Sequence, residues 1–300
     1  DIGGFMASNQ KNYFETLRNQ VVVFEGLHTY GGMTGRAMEV FAQGIEEMEE
    51  IAYSEWHSTQ IETFYSILKE AGVPVFHGAT GISLDIEKFL PHLSEDEYPK
   101  FSLAAALFIH GGIRARIDGD WAFHASGEGR RFLQLELPRM AFTIDHIEEI
   151  ATSIIELYNG CENIRGLESV TLSKWVDQAC FSAKNQRLFV TLPTRFERPH
   201  NLMEPYKIAI IEPVQIVEKE HRRAVMEAAG YNTFLLNSED IYIDLLTDSG
   251  TTAMSSTQWR GMMDTHDTPY SSEEYSHLVE EYRNALGYKH ILPTHQGRAA

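Results

Sequence analysis

Two stretches in the last third of the sequence carry most of the information about the fold: Tyr231–Thr251, Y-N-T-F-L-L-N-S-E-D-I-Y-I-D-L-L-T-D-S-G-T, and Pro293–Arg298, P-T-H-Q-G-R. The first ends in hydroxyl, carboxylate and glycine residues, a composition typical of a loop whose hydroxyls satisfy one another. In the second, Gln296, Gly297 and Arg298 follow an apolar run that reads as a strand. Glycine lets the backbone approach an anion and arginine supplies a fork of donors, so this loop is a candidate phosphate site; a plain surface turn has the same short signature.

Both stretches belong to a longer segment, Met203–Arg298, that resembles the amino-terminal segment of the pyridoxal-phosphate-dependent β-eliminating lyases, the tyrosine phenol-lyase and tryptophanase family. Residues 1–190 resemble the carboxy-terminal part of the same family. The motifs that carry this second likeness are D-I-G-G-F at Asp1, V-V-V-F-E-G-L-H-T-Y-G-G-M-T-G-R at Val21–Arg36, L-P-R at Leu137 and N-I-R-G-L at Asn163. The two blocks stand in reversed order relative to the family, so we expect a circular permutation. A proline-containing linker at 191–204 would join the first block to the second, which covers residues 205–300.

The resemblance implies an α/β fold that corresponds to the small domain of fold-type-I pyridoxal-phosphate enzymes. In the family, a large domain lies between the two blocks and ends in a Ser-x-Lys-Lys element that carries the Schiff-base lysine. No lysine among these 300 residues has that context. We therefore expect the chain to bind pyridoxal 5'-phosphate covalently only together with a large domain supplied elsewhere, by a second polypeptide or by sequence outside these residues.

Composition excludes several other classes of protein. The formal net charge is −18 and the isoelectric point is near 5.1, so a nucleic-acid backbone would be repelled. No apolar run approaches the roughly 20 residues that cross a bilayer, and the first ten residues lack the features of a signal peptide. Two cysteines without metal or disulfide spacing fit a reducing compartment, so we expect a cytoplasmic protein with neither nucleic-acid nor membrane partners. Scattered histidines give no zinc spacing, and no metal ligand set is predicted.

Periodicity predicts alternating helices and strands, as in an α/β or α+β layer. The predicted helices are Arg36–Ala71 with a break near Tyr53, Phe101–His110, Thr143–Tyr158, Val217–Ala229 and Ser271–Leu286. The predicted strands are a pair within Val73–Ile86, Phe132–Leu137 and Ile291–Pro293.

The resemblance assigns roles at the cofactor and at the leaving group. Gln296, Gly297 and Arg298 align with the residues that contact the cofactor phosphate. Tyr270 aligns with the tyrosine that protonates the departing ring, although one residue is inserted in this loop. A phenol has an ordinary pKa near 10 and needs a nearby cation or phosphate to act as an acid. A partly buried aromatic residue before a helix start is the alternative interpretation of Tyr270.

The resemblance also implies that the T-D-S-G-T turn binds the substrate. Thr247 is implied as a catalytic residue, and Ser249 as a ligand of the substrate carboxylate, with Phe234 among the substrate-binding residues. The family's monovalent cation is doubtful here, because the positions of two of its ligands hold Thr268 and Asp1.

Three substrate-facing positions depart from the family. Gln134 stands where an arginine pairs with the amino acid carboxylate, and it cannot form a charged bidentate clamp. Asp118 falls on the position that distinguishes phenol from indole, and Cys180 replaces a histidine or phenylalanine. These changes predict either another β-substituted amino acid as substrate or the loss of catalysis.

Two hypotheses follow from the sequence. The first is a component of a pyridoxal-phosphate-dependent β-eliminating lyase that acts on an aromatic or other β-substituted amino acid, with a complementary large-domain chain or a homo-oligomeric assembly as partner. The second is a non-catalytic interaction module derived from that family. A lysine-bearing partner domain would distinguish them.

Overall fold

The structure is a computed structural model that describes residues 3–49, 51–117, 132–173, 178–186, 188, 217–248, 253–266 and 273–300. Two compact units divide the chain: residues 1–56 with 253–300, and residues 57–252. Each unit draws residues from both family-like segments. The junction at 191–204 lies outside the described residues, so the segment boundaries stay a prediction.

The described helices and strands follow one another along the chain in a mixed α/β order. They are β1 (Gly4–Ser8), α1 (Lys11–Phe24), α2 (Gly35–Met48), α3 (Ile51–Glu70), β2 (Val75–His77), β3 (Gly81–Asp85), α4 (Ile86–Phe89), α5 (Pro99–Gly111), β4 (Ile113–Ala115), β5 (Phe132–Glu136), α6 (Ile144–Asn159), β6 (Leu167–Thr171), β7 (Cys180–Ala183), α7 (Lys219–Ala228), β8 (Ile243–Leu245), α8 (Ser256–Asp264), α9 (Glu273–Leu286) and β9 (His290–Thr294).

Most of the predicted elements are confirmed within a few residues of their ends. The long amphipathic segment is two helices, α2 and α3, as the sequence indicated, but α2 ends at Met48 with Glu49 as its cap, earlier than the predicted break at Tyr53. The predicted strand pair is the antiparallel hairpin of β2 and β3. Helices α1 and α8 were not among the predictions.

Side-chain caps set several helix starts, because the first backbone N–H groups of a helix have no partner within it. Thr34 accepts from the backbone N–H of Ala37 at the start of α2. Ser255 and Gln258 form a reciprocal capping box at the start of α8. These caps fix where the two helices begin.

The first unit packs helices α2, α8 and α9 together with the two-stranded sheet of β1 and β9. Its small core includes Met38, Leu278 and Tyr282, whose ring lies 4.1 Å from that of Phe5. Glu39 of α2 pairs with a histidine of α9 at 2.9 Å, so polar contacts also join the helices.

The second unit is built on strands that lie side by side. Strands β2, β3 and β5 are antiparallel, and β4 and β8 are parallel. Arg116, just after β4, exchanges backbone hydrogen bonds with Gln134 of β5, which links the two sets in the order β2-β3-β5-β4-β8. Alternate residues of these strands are buried, and they include Ile82, Leu84, Leu133, Leu135, Ile113, Ala115, Ile243 and Leu245. One face of the strands is therefore apolar, and the other carries polar side chains together with the neighbouring rings of Phe76 and Phe132.

Helix α5 fills the centre of the second unit. Every residue from Lys100 to His110 is buried, and a helix that is apolar nearly all round belongs in a core. Burial of each large side chain, such as Phe101 or Leu107, contributes roughly 1.5–3 kcal/mol. Arg222 of α7 donates to the carbonyls of Ile109 and His110, which have no partner within the end of α5.

The hairpin of β6 and β7 is fastened to the turn that precedes α5. Lys184 lies 2.7 Å from Glu97. This hydrogen bond, together with those from Ser94, lowers the pKa of Glu97 to about 2, so its carboxylate is charged at neutral pH.

Candidate functional site

The loop Thr294–Arg298 lies at the end of β9 and is held in place by backbone contacts with β1. Gly3 donates to the carbonyl of His295 at 2.6 Å, and Thr294 Oγ1 donates to the carbonyl of Gln296 at 3.0 Å. A Cβ atom added at Gly4 would lie 2.5 Å from the backbone nitrogen of Gly297. A glycine is therefore required at Gly4 of the D-I-G-G-F motif, because any side chain there would prevent the loop from packing directly on β1.

The end of this loop is open. Gly297 and Arg298 are exposed and Gln296 is half-buried. A Cβ atom added at Gly297 would meet nothing within 4 Å, so the space on that side of the residue is open. The loop thus presents an amide side chain and a guanidinium beside an open glycine, groups that suit a phosphate.

The family-like motif Val21–Arg36 packs against the loop Thr294–Arg298. Gly31 has φ +54°, and a Cβ atom there would lie 1.9 Å from the carbonyl oxygen of Pro293. Glu25 accepts from the backbone N–H of His295 at 3.2 Å and also pairs with the imidazole Nδ1 of that histidine. The Glu25–His295 pair was not among the sequence predictions, and the only sequence signal for it is that each residue lies inside a family-like motif.

The polar face of the second unit holds Gln134. Its neighbours across the strands are Ser83 of β3 and Arg116, both on the same face. Gln134 Oε1 is buried and has no hydrogen-bond partner among the described residues. A buried amide oxygen without a partner costs roughly 1–3 kcal/mol.

Charged side chains surround Gln134 on this face. Arg116 Nη1 lies 3.4 Å from Glu136 Oε1, and Thr80 Oγ1 donates to the other oxygen of Glu136. Arg114 forms a two-pronged pair with Asp244 of β8, at 2.9 and 2.5 Å. The sequence analysis did not single out Arg116 or Arg114, because their position beside Gln134 depends on strand pairing.

Thr247 lies at the same end of the strands as Arg116. Strands β4 and β8 are parallel and Ala115 is paired with Leu245, so the residues that follow each strand leave the sheet side by side. Asp244 fixes the first step of this turn by accepting from the backbone N–H of Leu246 at 3.1 Å. Thr247 itself is half-buried. The fold thus places Gln134, Arg116 and Thr247 in one region of the second unit.

Cys180 and Phe234 form another group in that unit. Asn232 is fully buried, donates to the carbonyl of Ala179 at 2.8 Å and accepts from the backbone N–H of Phe234 at 3.1 Å. Cys180 lies against Gly230, where an added Cβ atom would be 3.1 Å from the cysteine Cβ. Asn232 therefore links the backbone that precedes Cys180 to the backbone of Phe234.

Three predicted site residues, Tyr270, Ser249 and Asp118, lie outside the described residues.

Within the described ranges, no three or more His, Cys, Asp and Glu side chains are grouped so as to hold a metal ion. In the same ranges, no helix combines the length and the apolar composition that crossing a membrane requires.

Comparison with known proteins gives one family match. Residues 244–300 match the model of the beta-eliminating lyases. This match includes Thr247 and ends on the loop that contains Gln296, Gly297 and Arg298.

Curated relatives point the same way. The tyrosine phenol-lyase of Symbiobacterium sp. (strain SC-1) is 37% identical over 179 residues, which cover 57% of this chain and 39% of that protein. The tyrosine phenol-lyases of Pasteurella multocida and Fusobacterium nucleatum are each 53% identical over 97 residues, which cover 32% of this chain and 21% of those proteins. The matched part thus spans at most about two fifths of these relatives. The comparisons support a relationship to β-eliminating lyases of the pyridoxal-phosphate type.

Proposed function

We propose that this chain is a component of a pyridoxal-phosphate-dependent β-eliminating lyase that cleaves a carbon–carbon bond in an aromatic or other β-substituted amino acid. The observation that carries the proposal is the match of residues 244–300 to the family model, because it includes a loop whose exposed groups suit a phosphate. We also propose that the chain joins two family segments in permuted order, as the positions of its motifs in the sequence predict.

The cofactor end of the proposed site is the loop Thr294–Arg298. Gln296 and Arg298 would donate to the phosphate from their side chains, and Gly297 from its backbone N–H. The Glu25–His295 pair and Gly31 would hold the loop in shape without touching the phosphate. Bound pyridoxal phosphate would supply an electron sink for the negative charge that develops at the amino acid Cα.

The covalent attachment of the cofactor needs a lysine that these residues do not supply in the family's context. We therefore propose that a large domain outside the 300 residues completes the site. A complementary chain in a hetero-oligomer, or further sequence of the same polypeptide in a homo-oligomer, would supply it.

For the substrate, we take the roles that the resemblance implies. Thr247 and Ser249 would orient the amino acid, and Tyr270 would protonate the leaving group as a general acid. Gln134, Asp118 and Cys180 differ from the family, so we propose a substrate other than tyrosine or tryptophan. Phe234 and Cys180 would contact the side chain of the substrate, and Asn232 links the backbone segments that carry them.

The test is reconstitution of the full chain with a lysine-bearing large-domain chain, followed by assay of pyruvate and ammonia release from a panel of β-substituted amino acids. We expect release only when both chains and pyridoxal phosphate are present. Arg298→Gln should raise the concentration of cofactor needed for half-maximal activity at least tenfold, because a charge-assisted contact is lost. Arg260→Gln, on exposed α8, is the matched control and should change nothing.

Two outcomes would contradict the proposal. Borohydride trapping of a stoichiometric cofactor adduct on one lysine of the chain alone would show that no further domain is needed. Retention of ordinary cofactor affinity by Arg298→Gln would remove the phosphate role. A chain that associates with its partner but never supports turnover would favour the non-catalytic interaction module.

A further inference from the structure

A buried carboxylate lies beside the loop that is proposed to hold the cofactor phosphate. The Glu25 side chain is 6% exposed, and its Oε2 atom accepts from the backbone N–H of His295 at 3.2 Å. The same oxygen pairs with the imidazole Nδ1 of His295, whose side chain is 42% exposed. A negative charge is therefore held inside the protein, next to a loop whose donor groups suit an anion.

The imidazole is the partner that compensates this charge. Among the described residues, His295 is the one cationic side chain that pairs with Glu25. Strand β1 contacts the backbone of His295 through Gly3, and the turn after Glu25 lies against the His295 Cβ atom at Gly32. Neither glycine supplies a charge, so the state of the imidazole decides the net charge of the pair.

Other titratable side chains in this region do not replace the imidazole. The Tyr30 hydroxyl lies against Gly26, and His28 Nδ1 is buried without a partner among the described residues. Arg298 is exposed at the end of the loop. Within the described part of the chain, none of these three side chains pairs with Glu25.

Proton binding therefore changes the electrostatics of the loop. An imidazole ordinarily has a pKa of about 6.5 and a glutamic acid side chain one of about 4.3, so the two groups of such a pair ordinarily titrate in different pH ranges. With a protonated imidazole the pair is neutral overall. With a neutral imidazole a buried carboxylate is left uncompensated, and it repels an anion in the loop with less screening than in water.

We propose that the Glu25–His295 pair regulates the phosphate loop by coupling anion binding to a proton: an anion binds tightly when His295 is protonated and weakly when His295 is neutral. Glu25 is then a positioning residue, which acts through His295 and does not touch the ligand. The identity of the anion as the cofactor phosphate rests on the proposed function. The coupling itself rests on the burial of Glu25 and on its two contacts with His295.

The experiment measures sulfate binding to the full 300-residue chain without cofactor, followed by the backbone amide NMR signals of Gly297 and Arg298. Sulfate has the shape of phosphate and stays a dianion across the pH range used, so a change in its affinity reports on the protein. The affinity should be about tenfold higher at about pH 5.5 than at about pH 8.5, the effect of one poorly screened charge near the anion.

Two variants should change the affinity in opposite directions. Glu25→Gln keeps an oxygen that accepts from His295 but removes the charge, so at about pH 8.5 it should bind sulfate about tenfold more tightly than the unaltered chain. His295→Gln leaves the Glu25 charge uncompensated and should bind sulfate weakly at both pH values. The matched control is Glu39→Gln, which removes one charge from the His277 pair between α2 and α9 and should leave the sulfate affinity unchanged.

Equal sulfate affinity of the unaltered chain at the two pH values would overturn the coupling. A Glu25→Gln variant that binds sulfate no more tightly than the unaltered chain at the higher pH would also overturn it, because a purely structural contact gives that result. If this variant fails to fold, His295→Gln and the pH series on the unaltered chain decide.

The outcome is separable from that of the proposed function. A complete lack of sulfate binding at the Gly297 and Arg298 signals would overturn the coupling together with the phosphate role of the loop. Sulfate binding without any dependence on pH or on Glu25 would reject the coupling alone. Because no turnover is measured, a failure of elimination in the reconstituted enzyme leaves a confirmed coupling standing.

Discussion

At the scale of single residues, the loop proposed to hold the cofactor phosphate depends on a glycine whose backbone lies close to another chain segment. Gly31 combines a left-handed backbone, φ +54°, with near contact to the carbonyl of Pro293. Gly287, in the same unit, has φ +71° and open space around it. Alanine substitutions at the two glycines therefore distinguish the free-energy cost of a left-handed backbone from the cost of a steric clash.

We predict that Gly31→Ala lowers the free energy of unfolding by about 3 kcal/mol or more, because the new methyl group meets a backbone carbonyl. Gly287→Ala should lower it by only about 1 kcal/mol, the cost of the left-handed conformation. Urea unfolding monitored by circular dichroism measures both values. Equal decreases in the free energy of unfolding of the two variants would contradict the prediction, because they would show that the loop moves away from residue 31 at no cost.

At the scale of elements, an ion pair joins two helices of the first unit. His277 of α9 lies 2.9 Å from Glu39 of α2. Burial lowers the pKa of His277, but the hydrogen bond to Glu39 and the charges of Glu39, Glu281 and Glu46 outweigh it, so the net pKa of His277 is raised. The pair is strongest when the imidazole is protonated.

A raised pKa in the folded state fixes the sign of the pH dependence. The pair contributes its full stability below the unfolded pKa of about 6.5, and the contribution is lost as pH rises through the folded pKa. We predict that His277→Gln lowers the free energy of unfolding more at about pH 6 than at about pH 9. Thermal or urea unfolding at the two pH values provides the measurement.

Glu39→Gln serves as the matched variant, because it removes the same charge pair from the other side. Its loss should follow the same pH trend, and the double variant should lose less than the sum of the two. A loss of stability from His277→Gln that grows toward high pH would contradict the assignment.

At the scale of the whole molecule, exposed apolar side chains at the end of α1 indicate an interface. Val23 is 72% exposed and Phe24 is 75% exposed, whereas Val21 on the same turn is buried. Both residues belong to the V-V-V-F run at Val21–Phe24, inside a family-like motif. Contiguous apolar surface of this kind is typical of association sites.

We predict that the chain forms an oligomer at micromolar concentration and that Val23→Asp with Phe24→Asp weakens it at least tenfold, because charges would be buried in the contact. Sedimentation velocity over a range of concentrations measures this. Val170→Asp on β6, where Val170 is 67% exposed, is a control for the effect of an added surface charge. A clean monomer of the unaltered chain would reject the prediction.

The sequence by itself determined the local elements and the family likeness. Helical periodicity in Val217–Ala229, alternation in Phe132–Leu137 and caps such as Thr34 are properties of neighbouring residues, so they can be read without the fold. Motifs were recognised for the same reason, and residues 244–300 match the family model that the T-D-S-G-T and Q-G-R motifs had indicated.

Only the tertiary structure decided which distant residues meet. Arg116 lies beside Gln134 because β4 and β5 are neighbours, Glu25 meets His295 across 270 positions, and Gly31 abuts Pro293. These contacts depend on chain segments that are far apart in sequence, and no local pattern encodes their pairing. The division into two units, each mixing both family-like segments, has the same origin: burial of apolar surface selects the partners of each segment by shape and area, irrespective of their order along the chain.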